Sequence, residues 1–394
     1  MSKSYYQEPN ATVYCGHVLD VLRELPAESS DCIVTSPPYW GLRSYKTEPV
    51  IWDNYSGCEH EWGDASYKRR SSDGMPGFSK ERYDIATYEA LRRDIPVSSA
   101  FCLKCHAWKG ELGLEPTIEL YISHLLQIFD EVKRVLKKTG TCWVNIGDSY
   151  ASSGGPSRHR GYFDPKWPNA RKGDFDEPSS YPQSVESKSL CLIPERFALG
   201  MVERGWILRN IVIWYKSNPM PESVKDRFTG TYEYVYFFTK SRRYFFEQQF
   251  EPYSPITLAD RRIIKIQAGV KLQRIRNKDF KDNCIQDARD VRDRALRSID
   301  ISQGRNLRDV WQINTQPYPE AHFATFPEDL VKTPILAGCP QDGIVLDPFC
   351  GSGTTLAVAK MLGRRAIGID INPKYCDLTI KRLQAIPIPM ELHE

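Results

Sequence analysis

Two short turns in this chain bring together residue types that do chemistry on a flat, polar ligand. The first is Thr35-Ser36-Pro37-Pro38-Tyr39-Trp40, at the end of the apolar run DCIVT. Consecutive prolines remove two backbone donors and stiffen the turn, which frees the Pro37 carbonyl to face a cleft as an acceptor. Ser36 adds a hydroxyl beside it, and Tyr39 and Trp40 offer aromatic faces on which a base taken out of a helix can stack. The second turn runs Asp347-Pro348-Phe349-Cys350-Gly351-Ser352-Gly353-Thr354. Its glycines allow a sharp bend and close backbone approach to a ligand, and the N-terminus of a following helix favours a carboxylate. Asp370 ends the next apolar run, close to the offset of about twenty residues at which an acidic side chain grips ribose hydroxyls. No lysine follows the glycines, so a phosphate-binding P-loop is disfavoured. Asp347 at the strand end suits a cationic, phosphate-free ligand such as S-adenosylmethionine.

A third constellation has metal-ligand spacing. Cys58 and His60 form a C-x-H pair, and Cys102 and Cys105 a C-x2-C pair, together the ligand set of a structural tetrahedral zinc site. They lie in a stretch, 41–115, with too little apolar content to fold without such a staple. His106 is a poorer fourth ligand than His60, because it adjoins Cys105. The same stretch interleaves Lys68, Arg69, Arg70, Arg82, Arg92 and Arg93 with Tyr67, Tyr83 and Tyr88, a composition able to touch DNA.

Alternating strands and helices must position these groups. ATVYCGHV reads as a strand, LDVLRELP as a short helix and DCIVTSPPY as a buried strand entering its turn. After an irregular segment from Gly41 to about Glu115, a helix is expected over Thr117 to Lys138, stopped by Gly140, then a strand over TCWVNIGDSY. Pro194 to Arg204 reads as a helix, ILRNIVIWYKS as a strand, and YEYVYFFTKS followed by RYFFE as an antiparallel pair. The last seventy or so residues read strand (GIVLDPF), helix (TTLAVAKMLG), strand (RAIGIDI), helix (Lys374 to Ala385). Residues 151–189, rich in Ser, Gly and Pro, are expected to form a long mobile loop.

With 394 residues, 41% hydrophobic and 26% charged, the chain has the composition of a soluble globular protein with room for a large α/β domain and an appendage. It lacks an apolar run of the roughly 20 residues needed to span a bilayer and a secretory signal, so a cytoplasmic protein with reduced cysteines is expected. The net charge of +3 is unevenly spread. From Arg261 to Arg308 there are fourteen Lys/Arg against six Asp, a local excess of +8 that leaves −5 for the rest. Such a stretch suits neutralisation of phosphates.

Jointly, the SPPY turn and the glycine turn resemble the DNA amino-methyltransferase family, which methylates N4 of cytosine or N6 of adenine. Their order, catalytic turn first and cofactor turn near the C-terminus, is similar to that of the permuted β group, and the resemblance runs from about Ala11 to Ala385. It implies a Rossmann-like S-adenosylmethionine-dependent methyltransferase fold, a mostly parallel seven-stranded sheet with an antiparallel hairpin at one edge, carrying a zinc-binding insertion and a DNA-recognition segment. Residues 11–40 and 116–250 would form the catalytic half, 309–390 the cofactor-binding half, 41–115 the insertion and 251–308 the target-recognition segment.

The resemblance also implies roles. Ser36 Oγ and the Pro37 carbonyl would accept hydrogen bonds from the target amine, with Pro38 stiffening the turn and Tyr39 holding the base plane. Pro348, Phe349, Gly351, Ser352, Gly353 and Thr354, with Asp347 and Asp370, would hold the cofactor. HFATFPEDL at 322–330 resembles the family segment that closes over the methionine end, pointing to Thr325 and Phe326. The family's Gly-Asp pair after the first strand is not kept, since Gly16 precedes His17. An SPP turn favours N4 of cytosine over N6 of adenine, and the absence of a Pro-Cys dipeptide agrees with direct transfer rather than a cytosine-C5 nucleophile. The implied partners are duplex DNA, with base flipping, and a cognate restriction endonuclease in a restriction-modification system. A monomer and a homodimer are both compatible. An RNA methyltransferase and a non-catalytic DNA-binding subunit are the other classes that these residues admit.

Overall fold

The computed structural model describes residues 4–41, 44–45, 47–53, 57–67, 95–151, 185–254, 304–315 and 327–387. Its first third contains β1 (Tyr6–Glu8), β2 (Ala11–Cys15), α1 (Val18–Glu24) and β3 (Ser30–Thr35). Next come β4 (Val50–Trp52), β5 (Trp62–Tyr67), β6 (Ile95–Cys102), β7 (Trp108–Gly110), α2 (Ile118–Val135) and β8 (Leu136–Ile146). The middle holds α3 (Ile193–Glu203), β9 (Ile207–Tyr215), β10 (Tyr232–Thr239), β11 (Phe250–Glu251), β12 (Arg305–Asn306) and β13 (Val310–Gln312). The C-terminal part holds α4 (Glu328–Gly338), β14 (Ile344–Asp347), α5 (Thr354–Met361), β15 (Arg365–Asp370) and α6 (Pro373–Ala385).

One large sheet has the order β1-β2-β15-β14-β3-β8-β10-β9-β13. Nine strands therefore replace the expected seven. The additions at the two edges, β1 and β13, are three residues each, too short for a hydrophobic pattern to announce them. Strands β2, β15, β14, β3 and β8 run parallel, and β10 is antiparallel to both of its neighbours. The hairpin is not at the edge, because β13 adds in parallel to β9. The antiparallel partner of YEYVYFFT is ILRNIVIWY and not RYFFE. Tyr244 and Phe246 of RYFFE instead pack their rings on Phe237, each at 5.8 Å, since β8 and β9 already occupy both edges of β10.

Helices cover both faces. Helices α1, α2 and α3 bury Leu22, Leu125, Phe129 and Phe197 on one side, while α4, α5 and α6 bury Val331, Ile335, Leu356 and Leu383 on the other. That double cover explains why β3 is buried along its whole length, on both faces. Helix α2 starts where the Thr117 side chain accepts from the Leu120 amide at 3.2 Å. It ends at Val135, three residues before the expected Lys138, because Leu136 is extended and pairs with Ser30 as the start of β8. Gly140 lies inside β8, where a Cβ would fall 2.4 Å from Leu136 Cδ1 and 2.8 Å from the Asp31 carbonyl. It therefore serves close packing and does not end the helix.

The insertion is less irregular than expected, since it carries a small antiparallel sheet of order β4-β7-β6-β5. The basic stretch 261–303 and the segment 152–184 lie outside the described residues. The described residues on either side of the latter are joined, with the Ala151 amide donating to the Ser189 carbonyl and the Lys188 amide to the Ala151 carbonyl, both at 2.8 Å. No helix among the described residues is long and apolar enough to cross a membrane.

Candidate active site

Strands β3 and β14 are parallel neighbours, with Leu346 opposite Ile33, so the SPPY turn and the glycine turn emerge side by side at their carboxyl ends. In open α/β sheets, ligands bind in this crevice. A cavity of about 300 Å³ lies there, lined on one side by Ser36, Pro37, Pro38 and Tyr39 and on the other by Pro348, Phe349, Gly351, Ser352, Thr354 and Asp370.

The glycine turn is built by its own hydrogen bonds. Gly351 (φ 50°) and Gly353 (φ 78°) take left-handed conformations, and a Cβ on Gly353 would come within 2.7 Å of Thr379. The Asp370 carboxylate accepts from the Gly351 amide at 3.0 Å and the Asn372 amide at 2.8 Å, which ties the turn to the end of β15. Burial raises Asp370 to about 6, against the pull of those two amides.

Asp347 and Gly353 do not line the cavity. The Asp347 carboxylate lies beneath the turn and accepts from Thr35 Oγ1 at 2.6 Å, Thr355 Oγ1 at 2.6 Å and the Phe349 amide at 3.0 Å. Burial lifts it to about 6, with those three donors acting in the opposite sense. It thus bridges β3, β14 and α5. Thr325 and Phe326 lie outside the described residues.

At the SPPY turn, Tyr39 Oη donates to Glu233 Oε2 at 2.8 Å and approaches Asn145 Oδ1 at 2.9 Å. Ser36 Oγ lies 3.4 Å from both Tyr39 Oη and Asn145 Oδ1. Asn145 Nδ2 donates to Glu233 Oε2 and to the Tyr234 carbonyl, each at 3.1 Å, and Lys216 Nζ is ion-paired with Glu233 Oε1. Burial first, then the adjacent Glu233 charge, pushes the Tyr39 phenol well above its ordinary range, so it stays protonated. Tyr121 Oη donates to the Pro38 carbonyl at 2.7 Å, while among the described residues no donor meets that of Pro37. Gly147 makes room for Tyr39, since a Cβ there would lie 2.5 Å from its ring. Trp40 departs from expectation: it is buried, its indole N–H donates to the Glu115 carbonyl at 2.9 Å, and it presents no face to the cavity.

Sequence reasoning missed Asn145, Trp214, Lys216 and Glu233, which complete the wall beyond Tyr39. A polar residue closing an apolar strand was the available signal for Asn145. For Glu233 it was a lone acid among the aromatics of β10. The insertion adds Val50, Trp52, Glu111 and Leu112 to the cavity wall. It is anchored by buried His124, which hydrogen-bonds Glu115 at 2.9 Å and Asp53 at 3.1 Å and stacks on Trp52 and Trp108 at 4.5 and 5.5 Å.

Cys58, His60, Cys102 and Cys105 converge within that insertion, their four ligand atoms all within 4.8 Å of one another. Cys58 Sγ and Cys102 Sγ are 3.9 Å apart, and Cys105 Sγ and His60 Nδ1 3.4 Å. A tetrahedral zinc ion, with bonds of about 2.3 Å to sulfur and about 2.0–2.1 Å to nitrogen, requires edges of about 3.8 and about 3.5 Å, so the cluster fits one. His106 adopts φ 61° and donates its amide to the Cys102 carbonyl, which curls the C-x2-C pair into a knuckle. Burial opposes ionisation of Cys102, yet donors from the Cys105, Lys104 and Glu61 backbone and His60 bring its thiol down to about 5.

The comparisons with known proteins agree with this architecture. Residues 30–381 match the family model described as DNA methylase. The chain is 32% identical over 389 residues to the Type II methyltransferase M.Cfr9I of Citrobacter freundii, covering 98% of this chain and 92% of that one. It is 30% identical over 371 residues to M.SmaI of Serratia marcescens, covering 94% and 90%. Among solved structures, the cytosine-N4-specific PvuII DNA methyltransferase shares the fold at TM-score 0.52 and 17% identity, covering 98% of this chain and 91% of that one. With the family model spanning most of the sequence and such relatives aligned nearly end to end, the chain belongs to the DNA methylase family of N6- and N4-amino methyltransferases.

Proposed function

We propose that the chain is a site-specific DNA methyltransferase that transfers the methyl group of S-adenosylmethionine to the exocyclic N4 of cytosine in duplex DNA. The observation that carries this reading is the meeting, in one cavity, of acceptors at Ser36 and Pro37 with a turn in which Asp370 and the Gly351 backbone flank a ligand site. Asp370 would take the ribose hydroxyls, and Phe349 an adenine face. When bound, S-adenosylmethionine supplies an electrophilic methyl on a sulfonium.

The exocyclic amine is a poor nucleophile because its lone pair is delocalised into the ring. Hydrogen bonds from its protons to Ser36 Oγ and the Pro37 carbonyl localise that pair and stabilise the charge that develops during transfer. Tyr39, held by Asn145 and Glu233, sets the plane of a base flipped from the helix. Orientation of two bound reactants supplies much of the remaining acceleration. N4 of cytosine is preferred to N6 of adenine on the SPP order, and the shared fold with a cytosine-N4-specific enzyme is compatible with that preference.

The reading extends to a structural zinc ion on Cys58, His60, Cys102 and Cys105, target recognition by residues 251–308, a cytoplasmic site of action and a cognate endonuclease. Mass spectrometry of nucleosides from unmethylated genomic DNA, after incubation with the chain and labelled S-adenosylmethionine, tests it. N4-methylcytosine is the expected product; N6-methyladenine would keep the mechanism and overturn the base preference.

A further inference from the structure

An exocyclic amine that gains a methyl group must lose a proton, and the SPPY turn itself holds no base to take it. Ser36 and Tyr39 are neutral hydroxyls and Asn145 is an amide, so none can keep an extra proton. One carboxylate among the described residues is hydrogen-bonded to the turn: Glu233, through Tyr39. Its second oxygen is held by Lys216, whose ammonium also sits 4.3 Å from the Trp214 ring. The Glu233 side chain is 20% exposed, which gives a proton arriving there a way out to solvent.

We propose that Glu233 is the terminal acceptor of the proton released by methyl transfer, reached from the amine through Ser36 and Tyr39. The nitrogen–methyl bond forms as the sulfur–methyl bond breaks, and the positively charged nitrogen gives one proton to Ser36 Oγ. The Ser36 hydroxyl proton passes to Tyr39 Oη, the Tyr39 proton passes to Glu233 Oε2, and the neutral carboxyl releases it to water. Both hydroxyls are thereby restored. The 3.4 Å separation of Ser36 Oγ from Tyr39 Oη is the long link, of the kind that tightens once substrate is bound. Lys216 keeps Glu233 oriented, and Asn145 Nδ2 holds the same oxygen that receives the proton.

The inference rests on the proposed use of the SPPY turn as the amine site, but not on whether the amine belongs to cytosine or adenine. Single-turnover methylation across a pH series, with S-adenosylmethionine affinity measured in parallel, tests it on the full chain. Wild type should show a rate that rises with pH to a plateau. Glu233→Gln should keep cofactor affinity within about twofold, lose at least about tenfold in rate and lose that rising limb. Glu233→Asp should recover part of both. Tyr39→Phe breaks the same route while leaving the Glu233 carboxylate in place and should abolish the limb as well, which decides the matter if the glutamine variant misfolds. A glutamine variant with full rate, or with reduced rate and the limb intact, would overturn the relay while the product analysis of wild type still supports amine methylation. A wild-type chain that methylates no base amine would overturn both readings.

Discussion

At the scale of single residues, the proposed mechanism separates groups that would act on substrate from groups that hold the floor beneath it. Ser36→Ala removes an acceptor that strengthens only as charge develops, so it should lower the transfer rate by about 10²–10³-fold. S-adenosylmethionine affinity, followed by calorimetry, should stay within about twofold. Asp370 should behave oppositely, because it would bind cofactor rather than base. Its folded-state value of about 6 lies above the ordinary 3.8, so the ligand-free folded chain holds the Asp370 proton more tightly than the unfolded chain and ionisation costs stability as pH rises through 6. A ribose that donates hydrogen bonds selects the ionised form. Cofactor affinity should therefore fall about tenfold between pH 7 and pH 5, as the ionised fraction drops, and Asp370→Asn should bind weakly with a flattened profile. Asp347 is a floor residue: Thr355→Val removes one of its three donors and should cost roughly 1–3 kcal/mol in denaturant unfolding without a comparable loss in transfer per folded molecule.

At the scale of elements, the insertion is a wall of the cavity and not only an appendage. Strand β4 supplies Val50 and Trp52, and Glu111 accepts from Ser44 Oγ at 3.0 Å and the Tyr45 amide at 3.0 Å, drawing the segment after the SPPY turn over the cofactor side. If zinc holds the Cys58–Cys105 cluster, purified chain should carry one equivalent by elemental analysis. Cys102→Ser should lose it together with more than about 2 kcal/mol of stability, the scale expected when a structural metal is removed. Cofactor affinity should weaken in parallel, whereas retained metal in that variant would exclude the cluster. Gly147→Ala, immediately after the end of β8 and two residues past Asn145, would drive a methyl into the Tyr39 ring and should cost activity far more than folding.

At the scale of the whole molecule, the sheet brings distant parts of the sequence to the carboxyl ends of its central strands, while the basic excess of the sequence lies in the stretch from Arg261 to Arg308. If Arg261 to Arg308 neutralise phosphates, DNA affinity should fall steeply with salt. Each Arg or Lys there replaced by Ala at a true phosphate contact should reduce the slope of log K against log salt by about one, with the methylated sequence unchanged. A variant that altered the methylated sequence instead would mark a residue that reads base edges.

The two turns, the cysteine and histidine pairs and most strand–helix alternation were legible in the sequence, because each is local: a proline pair, a glycine spacing or an apolar period acts within a few residues. The edge strands β1 and β13, the pairing of β10 with β9 and the early end of α2 were not, since neighbours in the sheet decide them. The same limit applies to the site. Asn145, Lys216 and Glu233 carry no motif, yet β8, β9 and β10 lie side by side and bring Asn145 and Glu233 to Tyr39, with Lys216 behind Glu233, from more than a hundred residues away. Asp347 shows the converse. Its type and place in the turn suggested a ligand contact, but Thr35 on the adjacent strand and Thr355 on the following helix claim its oxygens first. Residue identity determined which chemistry the chain can do, while the sheet order decided which of those residues face the cavity, because hydrogen-bond partners are set by distance in space and not along the chain.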